Sequence, residues 1–196
     1  MNFLAHAYLS FGHPQVLTGN MISDFVKGKA RFTYPPGVQT GIVLHRAIDA
    51  YTDAHPVTKE AMSLFRPHYR LYSGAIMDVL YDHFLARDAQ LFTEESLHRF
   101  SQEVYAALDA NAYSLPPAFA HILVYMKSEN WLYRYRSTAG IEKSLRGLSM
   151  RAAYMGDSRE AVALLHRHYD ELNDLYTRFM ADVKLFAKAR FDELTA

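Results

Sequence analysis

The 196-residue chain contains no cysteine, which excludes a disulfide framework and any metal site built from thiolates. No apolar run approaches the roughly 18 residues that a membrane-spanning helix needs. Residues 1–6 lack the basic and long apolar segments of a secretory signal. Basic and acidic side chains balance at 21 each, whereas a general nucleic-acid binder is usually strongly basic. We therefore expect a cytoplasmic protein with neither a membrane nor a nucleic acid as its partner.

The composition of the chain is typical of a helical protein with a buried core. Half of its residues are apolar or aromatic, enough for a buried core, and the length suits one domain over residues 1–196. Alternating β-branched runs are missing, while proline and glycine turn signals divide segments rich in Ala, Leu, Met, Glu and Arg. Proline fits the first turn of a helix and disfavours helix at the residue before it. The sequence predicts a single compact all-α domain.

The C-terminal segment carries the clearest helical pattern. Asp157 and Glu160 have the spacing of a capping box. Apolar residues then recur at intervals of three and four from Val162 to Phe186 without proline or glycine. This pattern predicts one long helix packed along a bundle. A coiled-coil dimer seam is the alternative, although such seams prefer Leu or Ile to aromatic residues.

Histidine and aspartate cluster at helical spacing in the first half of the chain. His45, Asp49 and Asp53 follow one another at intervals of four and would share one helix face. A second segment places Asp78 four residues before Asp82, with His83 adjacent, among apolar neighbours. Burying unpaired carboxylates costs several kcal/mol each, so these groups need a cationic partner: Arg, Lys or a metal ion.

Two shorter segments add polar candidates. His6 lies four residues after Asn2, and Asp24 lies four after Asn20 and three before Lys27. Imidazole nitrogens and carboxylate oxygens together suit Mn, Fe or Zn, and helical bundles build metal sites from several facing helices. Taken one by one, such residues are more often ordinary hydrogen-bonded groups. Their coincidence in several apolar segments favours a metal site.

Positive charge is concentrated between residues 127 and 151, a segment with six basic and two acidic residues. This excess indicates either a solvated helix face or a docking patch for an acidic partner. The aromatic cluster around Trp131 either packs in the core or stacks on a ligand. No glycine-rich phosphate loop and no nucleophile elbow is present.

Five motifs in order resemble those of the bacterial acyl carrier protein phosphodiesterases, over nearly the whole chain. They are Asn2-Phe3-Leu4-Ala5-His6, Gly19-Asn20 with Asp24-Phe25 and Gly28, His45-Arg46 with Ile48-Asp49 and Thr52-Asp53, Asp78 with Tyr81-Asp82-His83-Phe84-Leu85, and Trp131-Leu132 with Arg134-Tyr135. The sequence departs from the family's expected pattern at Tyr81, where Trp is expected to be frequent.

This resemblance implies an all-helical fold related to the HD-domain phosphohydrolases, which are metalloenzymes. The implied reaction is hydrolysis of the phosphodiester that joins 4′-phosphopantetheine to a serine of acyl carrier protein. Mn²⁺ is the expected metal, with Fe or Mg as alternatives. The chain has no His-Asp dipeptide, only the inverted pair Asp82-His83, so the HD ligand assignment cannot be transferred by position.

Local spacing and the shared motifs together give a candidate site. The expected metal ligands are His6, Asp24, His45, Asp49, Asp78, Asp82 and His83, with Asp78 acting either as a ligand or as a support for one. Lys27 and Arg46 would stabilise charge on the phosphate, and His55 would protonate the leaving serine oxygen. Acyl carrier proteins are strongly acidic, so a basic surface would speed their encounter. The expected contacts are Arg46, Arg66, Arg70, Arg134, Arg136, Lys143 and Arg146.

Two other functions remain open at this point. A related phosphohydrolase would act on a nucleotide or another small phosphodiester. A non-catalytic helical binding protein would pair the same carboxylates with arginine and bind no metal.

Overall fold

The computed structural model describes residues 1–152 and 154–196, and within these ranges the chain forms α-helices, short 3₁₀ turns and no strand. The all-α prediction is confirmed. The described part of the chain also holds no helix long and apolar enough to cross a membrane. The α-helices are α1 Phe3–Tyr8, α2 Pro14–Ile22, α3 Pro36–Ala54, α4 Pro56–Ser63, α5 Arg66–Tyr69, α6 Ser73–Arg87, α7 Glu94–Ala110, α8 Pro117–Ser128, α9 Trp131–Arg134, α10 Thr138–Arg151, α11 Ser158–Arg167 and α12 Tyr169–Thr195.

Proline sets the start of several helices. Helices α2, α3, α4 and α8 each begin at a proline, and Pro67 lies in the first turn of α5. The fixed φ of proline suits the first helical turn, where its missing N–H would have no intrahelical partner anyway. The helix boundaries read from these turn signals are confirmed.

The C-terminal pattern forms two helices rather than one. Asp157 caps α11 by accepting the N–H of Arg159 at 2.9 Å, whereas Glu160 lies 3.7 Å from His68 and closes no capping box. At His168 the backbone leaves the helical region (φ −111°, ψ 23°), so the prediction of one continuous helix from residue 158 was wrong. The long helix itself, α12, is confirmed. Its apolar stripe is buried against α3, α4 and α6 of the same chain.

Helices α2 and α3 cross at a glycine–glycine contact. A Cβ on Gly19 would lie 2.0 Å from the carbonyl oxygen of Val38, and one on Gly41 would lie 2.1 Å from that of Val16. Because both obstacles are backbone atoms, no side chain can move aside to make room. This close approach sets the C-terminal end of α2, and the 3₁₀ turn Ser23–Phe25 after it, beside the middle of α3.

The short helix α1 is held in the interior by α6. Asp82 is fully buried, and its two carboxylate oxygens accept the N–H groups of Leu4 at 2.8 Å and Ala5 at 3.0 Å. The first N–H groups of a helix have no intrahelical partner, and an acidic side chain satisfies them favourably. Asp82 thereby fixes the position of the helix that carries His6.

Candidate metal centre

His45 faces a carboxylate pair from the middle of α3. Its imidazole is buried, and the Nδ1–H donates to the carbonyl oxygen of Asn20 at 2.7 Å. This bond leaves Nε2 directed at Asp49 Oδ2, 3.0 Å away, and at Asp24 Oδ1, 3.3 Å away. A hydrogen bond on one ring nitrogen that orients the other is the usual support of a metal-binding histidine.

His6 reaches the same carboxylate from α1. Its ring stacks on that of His45 with centroids 3.9 Å apart, and its Nε2 lies 3.1 Å from Asp49 Oδ1. The buried Nδ1 of His6 has no hydrogen-bond partner among the described residues. Two imidazoles from separate helices thus share one carboxylate group.

The donor atoms converge closely enough to hold one cation. One ligand atom each from His6, His45 and Asp49 lies within 4.8 Å of the other two, and Asp24 extends the group on its exposed side. Mixed imidazole and carboxylate donors suit Mn, Fe or Zn. The donor set therefore fits the divalent metal expected from the sequence. We call His6, Asp24, His45 and Asp49 the His/Asp cluster.

Burial and hydrogen bonding set the protonation states of the His/Asp cluster. Burial would raise the pKa of Asp49, but hydrogen bonds from His45 and His6 and the nearby N-terminal ammonium hold it well below its usual value. The hydrogen bond from His45 likewise lowers the pKa of Asp24. Burial opposes protonation of His45, yet its bonds to Asp24 and Asp49 raise its pKa to about 9. Burial and the neighbouring His45 lower the pKa of His6 to about 4. The site therefore keeps its carboxylates ionised and one imidazole neutral.

Asp78 is linked to the His/Asp cluster through the N-terminal ammonium. The N-terminal ammonium of Met1 donates to Asp78 Oδ1 at 2.9 Å and to Asp49 Oδ1 at 3.2 Å. Burial raises the pKa of Asp78, although the ammonium opposes this shift. Asp78 is thus linked to Asp49 through a shared cation rather than by direct contact with the imidazoles. No pattern in the sequence indicated this role of the ammonium.

The structure does not bring Asp82, His83 and His55 into the His/Asp cluster. Both oxygens of Asp82 hold the backbone of α1, and burial raises its pKa to about 7 despite those bonds. The Nδ1–H of His83 donates to the carbonyl of Tyr135 at 2.7 Å, and its Nε2 accepts from Tyr169 at 3.3 Å. His55 lies against α12, 3.4 Å from Asp182.

The physical reason for each separation is simple. Both oxygens of Asp82 bond to the backbone of α1, and the two ring nitrogens of His83 bond to Tyr135 and Tyr169, so each side chain is directed at other partners. His55 follows His45 by ten residues, which is roughly 15 Å along a helix axis.

An open cleft of ≈ 380 Å³ lies over the His/Asp cluster. Asp24, His45 and Asp49 form part of its wall, and Lys27 and Arg46 form another part. Arg46 is held in place by donating to the carbonyl oxygen of Val26 at 2.9 Å. The two cations predicted to contact a phosphate therefore border the same cleft as the predicted ligands.

Some of the basic side chains expected to contact the carrier protein form ion pairs with acidic neighbours. Counting charges along the sequence did not reveal these pairs. Glu129 lies 2.6 Å from Lys143 and 3.6 Å from Arg134, and it accepts the indole N–H of Trp131 at 3.1 Å. Arg136 pairs with Glu94 at 2.9 Å. The remaining expected contacts, Arg66, Arg70 and Arg146, are exposed.

Comparison with known proteins gives one consistent family. The family model described as "Acyl carrier protein phosphodiesterase" matches residues 1–183. A relative of that name from Enterobacter sp. (strain 638) is 37% identical over 189 residues, which cover 96% of this chain and 98% of the relative. Its namesake from Yersinia pestis is 36% identical over 180 residues, covering 91% and 93%. No solved structure matches the chain, so kinship with the HD-domain fold remains a prediction.

Proposed function

Because the chain belongs to the acyl carrier protein phosphodiesterase family, we propose that it hydrolyses the phosphodiester between 4′-phosphopantetheine and a serine of holo-acyl carrier protein. The products are apo-acyl carrier protein and free 4′-phosphopantetheine. The observation that carries this proposal is the His/Asp cluster beneath a cleft bordered by Lys27 and Arg46. The cytoplasmic location stays a prediction.

The proposed metal ligands are the members of the His/Asp cluster. His6 and His45 would contribute their Nε2 atoms, while Asp49 and Asp24 would contribute carboxylate oxygens. We expect Mn²⁺, with Fe or Mg as alternatives. A divalent cation supplies Lewis-acid polarisation of a phosphoryl oxygen and a lowered pKa for a water molecule.

The chain's own groups then orient and neutralise the substrate. Lys27 and Arg46 border the cleft and would counter the negative charge of the phosphodiester, as basic side chains do in phosphoryl transfer. The bond from His45 to Asn20 and the bonds from Asp82 to α1 keep both imidazoles in position. Positioned electrostatic groups of this kind supply much of an enzyme's rate enhancement.

The acidic partner would approach along the basic side chains. Arg146, Arg66 and Arg70 are exposed and would steer an acidic protein toward the cleft. Arg134, Arg136 and Lys143 would have to exchange their ion pairs with Glu129 or Glu94 for pairs with the carrier protein. Exposed ion pairs of this kind are worth only about 0–1 kcal/mol, so such an exchange costs little.

The test incubates the protein with holo-acyl carrier protein and Mn²⁺ and follows loss of the prosthetic group by mass spectrometry. His45→Ala and Asp49→Asn should abolish the loss, whereas the matched control His98→Gln, at an exposed position on α7, should retain it. Cleavage of nucleotides but not of holo-acyl carrier protein would contradict the substrate. Wild-type protein that binds no Mn²⁺, Fe²⁺ or Zn²⁺ would favour a binding protein.

A further inference from the structure

A cavity of ≈ 360 Å³ opens beside the His/Asp cluster, a volume at the lower end of the ~300–1,000 Å³ typical of small-molecule sites. Residues from α1, α6, α8, α9 and α10 contribute to its wall. Its apolar lining includes Phe3, Phe25, Val79, Ile122 and Trp131. The apolar part of this wall takes no part in metal binding or in charge neutralisation.

Asp24 connects the cavity with the cleft over the His/Asp cluster. It lines both spaces, and its Oδ1 lies 3.3 Å from Nε2 of His45. Asp24 therefore marks the boundary between the two spaces, so a substrate with its phosphate at the cluster would reach the cavity by passing this side chain.

Polar residues also line the cavity, among them Asn2, Glu129, Tyr135 and Ser144 and the basic residues Arg134, Lys143 and Arg151. Nδ2 of Asn2 donates to the hydroxyl of Tyr135 at 3.1 Å, and Tyr135 is buried. On another side, the indole N–H of Trp131 and the ammonium of Lys143 both bond to Glu129. Apolar contacts interspersed with hydrogen-bond donors and acceptors suit a slender ligand that alternates methylene and amide groups.

We propose that this cavity binds the pantetheine arm of the substrate, holding its methylene and amide groups between Trp131 and Phe3 while the phosphate lies at the His/Asp cluster. The inference rests on the proposed function, since that function supplies the arm. It assigns substrate recognition to α9 and α10, at a distance from the reacting bond. The cavity makes 4′-phosphopantetheine, rather than the carrier protein alone, a determinant of specificity.

Gly147 is a position where a side chain can be added to the wall of the cavity. It lines the cavity, and a Cβ built there would meet no atom within 4 Å. Gly147→Phe therefore adds bulk without a backbone clash. Met150 lies on the same helix but is 81% exposed, so Met150→Phe is a matched control for adding an aromatic ring to α10.

Trp131 reports directly on occupancy because it is the one tryptophan of the chain. Free pantetheine, which has no phosphate, is titrated into metal-free protein while tryptophan fluorescence is recorded. We expect a saturable change in the wild type and in Met150→Phe, and a dissociation constant raised at least about tenfold in Gly147→Phe. Adenosine serves as the comparison ligand.

The outcomes separate this inference from the proposed function. A wild type with no saturable response, an unaltered response in Gly147→Phe, or a stronger response to adenosine than to pantetheine would overturn the cavity assignment. Circular dichroism checks that each variant folds, and the wild-type titration decides the matter without any variant. Saturable pantetheine binding without cleavage of holo-acyl carrier protein would support the cavity and refute the proposed hydrolysis.

Discussion

Gly41→Ala should damage both the stability of the protein and its metal affinity, because Gly41 lies where α2 and α3 touch. Its new Cβ would lie 2.1 Å from the carbonyl oxygen of Val16, against about 3.4 Å for an ordinary contact, so the helices must separate by roughly 1.3 Å. The hydrogen bond of 2.7 Å from His45 to Asn20 spans the same crossing. Functional sites tolerate displacements of only about 0.5 Å.

The expected magnitudes follow from two opposing effects. Overpacking costs about 1–3 kcal/mol, while replacing an interior helical glycine by alanine gains about 1 kcal/mol. We expect a net loss of up to about 2 kcal/mol in the free energy of unfolding, measured by urea denaturation. Loss of the support from Asn20 should weaken Mn²⁺ binding about 10–100-fold, measured by isothermal titration calorimetry.

Gly147→Ala is the matched control for this prediction. It makes the same substitution inside a helix, but no atom lies within 4 Å of the new Cβ. We expect it to raise the free energy of unfolding by up to about 1 kcal/mol and to leave Mn²⁺ affinity at the wild-type value. Equal stability and equal metal affinity for the two alanine variants would refute the role assigned to the α2–α3 crossing.

Three further predictions address the site and its substrate. His83→Ala should lower the free energy of unfolding by about 2–3 kcal/mol, because it removes hydrogen bonds to Tyr135 and Tyr169. The same variant should bind Mn²⁺ with unchanged stoichiometry, and loss of the metal would restore His83 as a ligand. Metal binding at pH 7 should release about one proton, since His45, whose pKa is raised to about 9, must lose its proton to coordinate the metal. Calorimetry in two buffers of different ionisation enthalpy measures the number of protons released, and a value of zero would contradict the prediction. Raising salt should increase KM for holo-acyl carrier protein more than it lowers kcat, and salt-independent steady-state kinetics would reject electrostatic docking.

Local chemistry made part of the structure predictable. Proline constrains the backbone at its own position, so Pro14, Pro36, Pro56 and Pro117 marked helix starts correctly. Helical geometry brings side chains four residues apart together, and His45 and Asp49 do meet at 3.0 Å. These inferences needed no knowledge of how the helices pack.

Tertiary packing decided the remainder. The apolar stripe continues across His168, so periodicity could not reveal that the backbone breaks there. Asp82 and His83 are both buried and polar, but only the arrangement of α1, α9 and α12 determines that they bond to backbone and tyrosine groups. The approach of His6 to His45 depends on the position of α1, which Asp82 fixes from α6.

The most direct measurement is anomalous diffraction from crystals grown with MnCl₂, recorded at a wavelength where manganese scatters anomalously. We predict a peak bounded by Nε2 of His6, Nε2 of His45 and the carboxylate of Asp49, within bonding distance of each donor. A crystal of His45→Ala should lack this peak. Manganese bound at Asp82 and His83 instead, or absent from the His6, His45 and Asp49 donors in the wild type, would contradict the proposed metal centre.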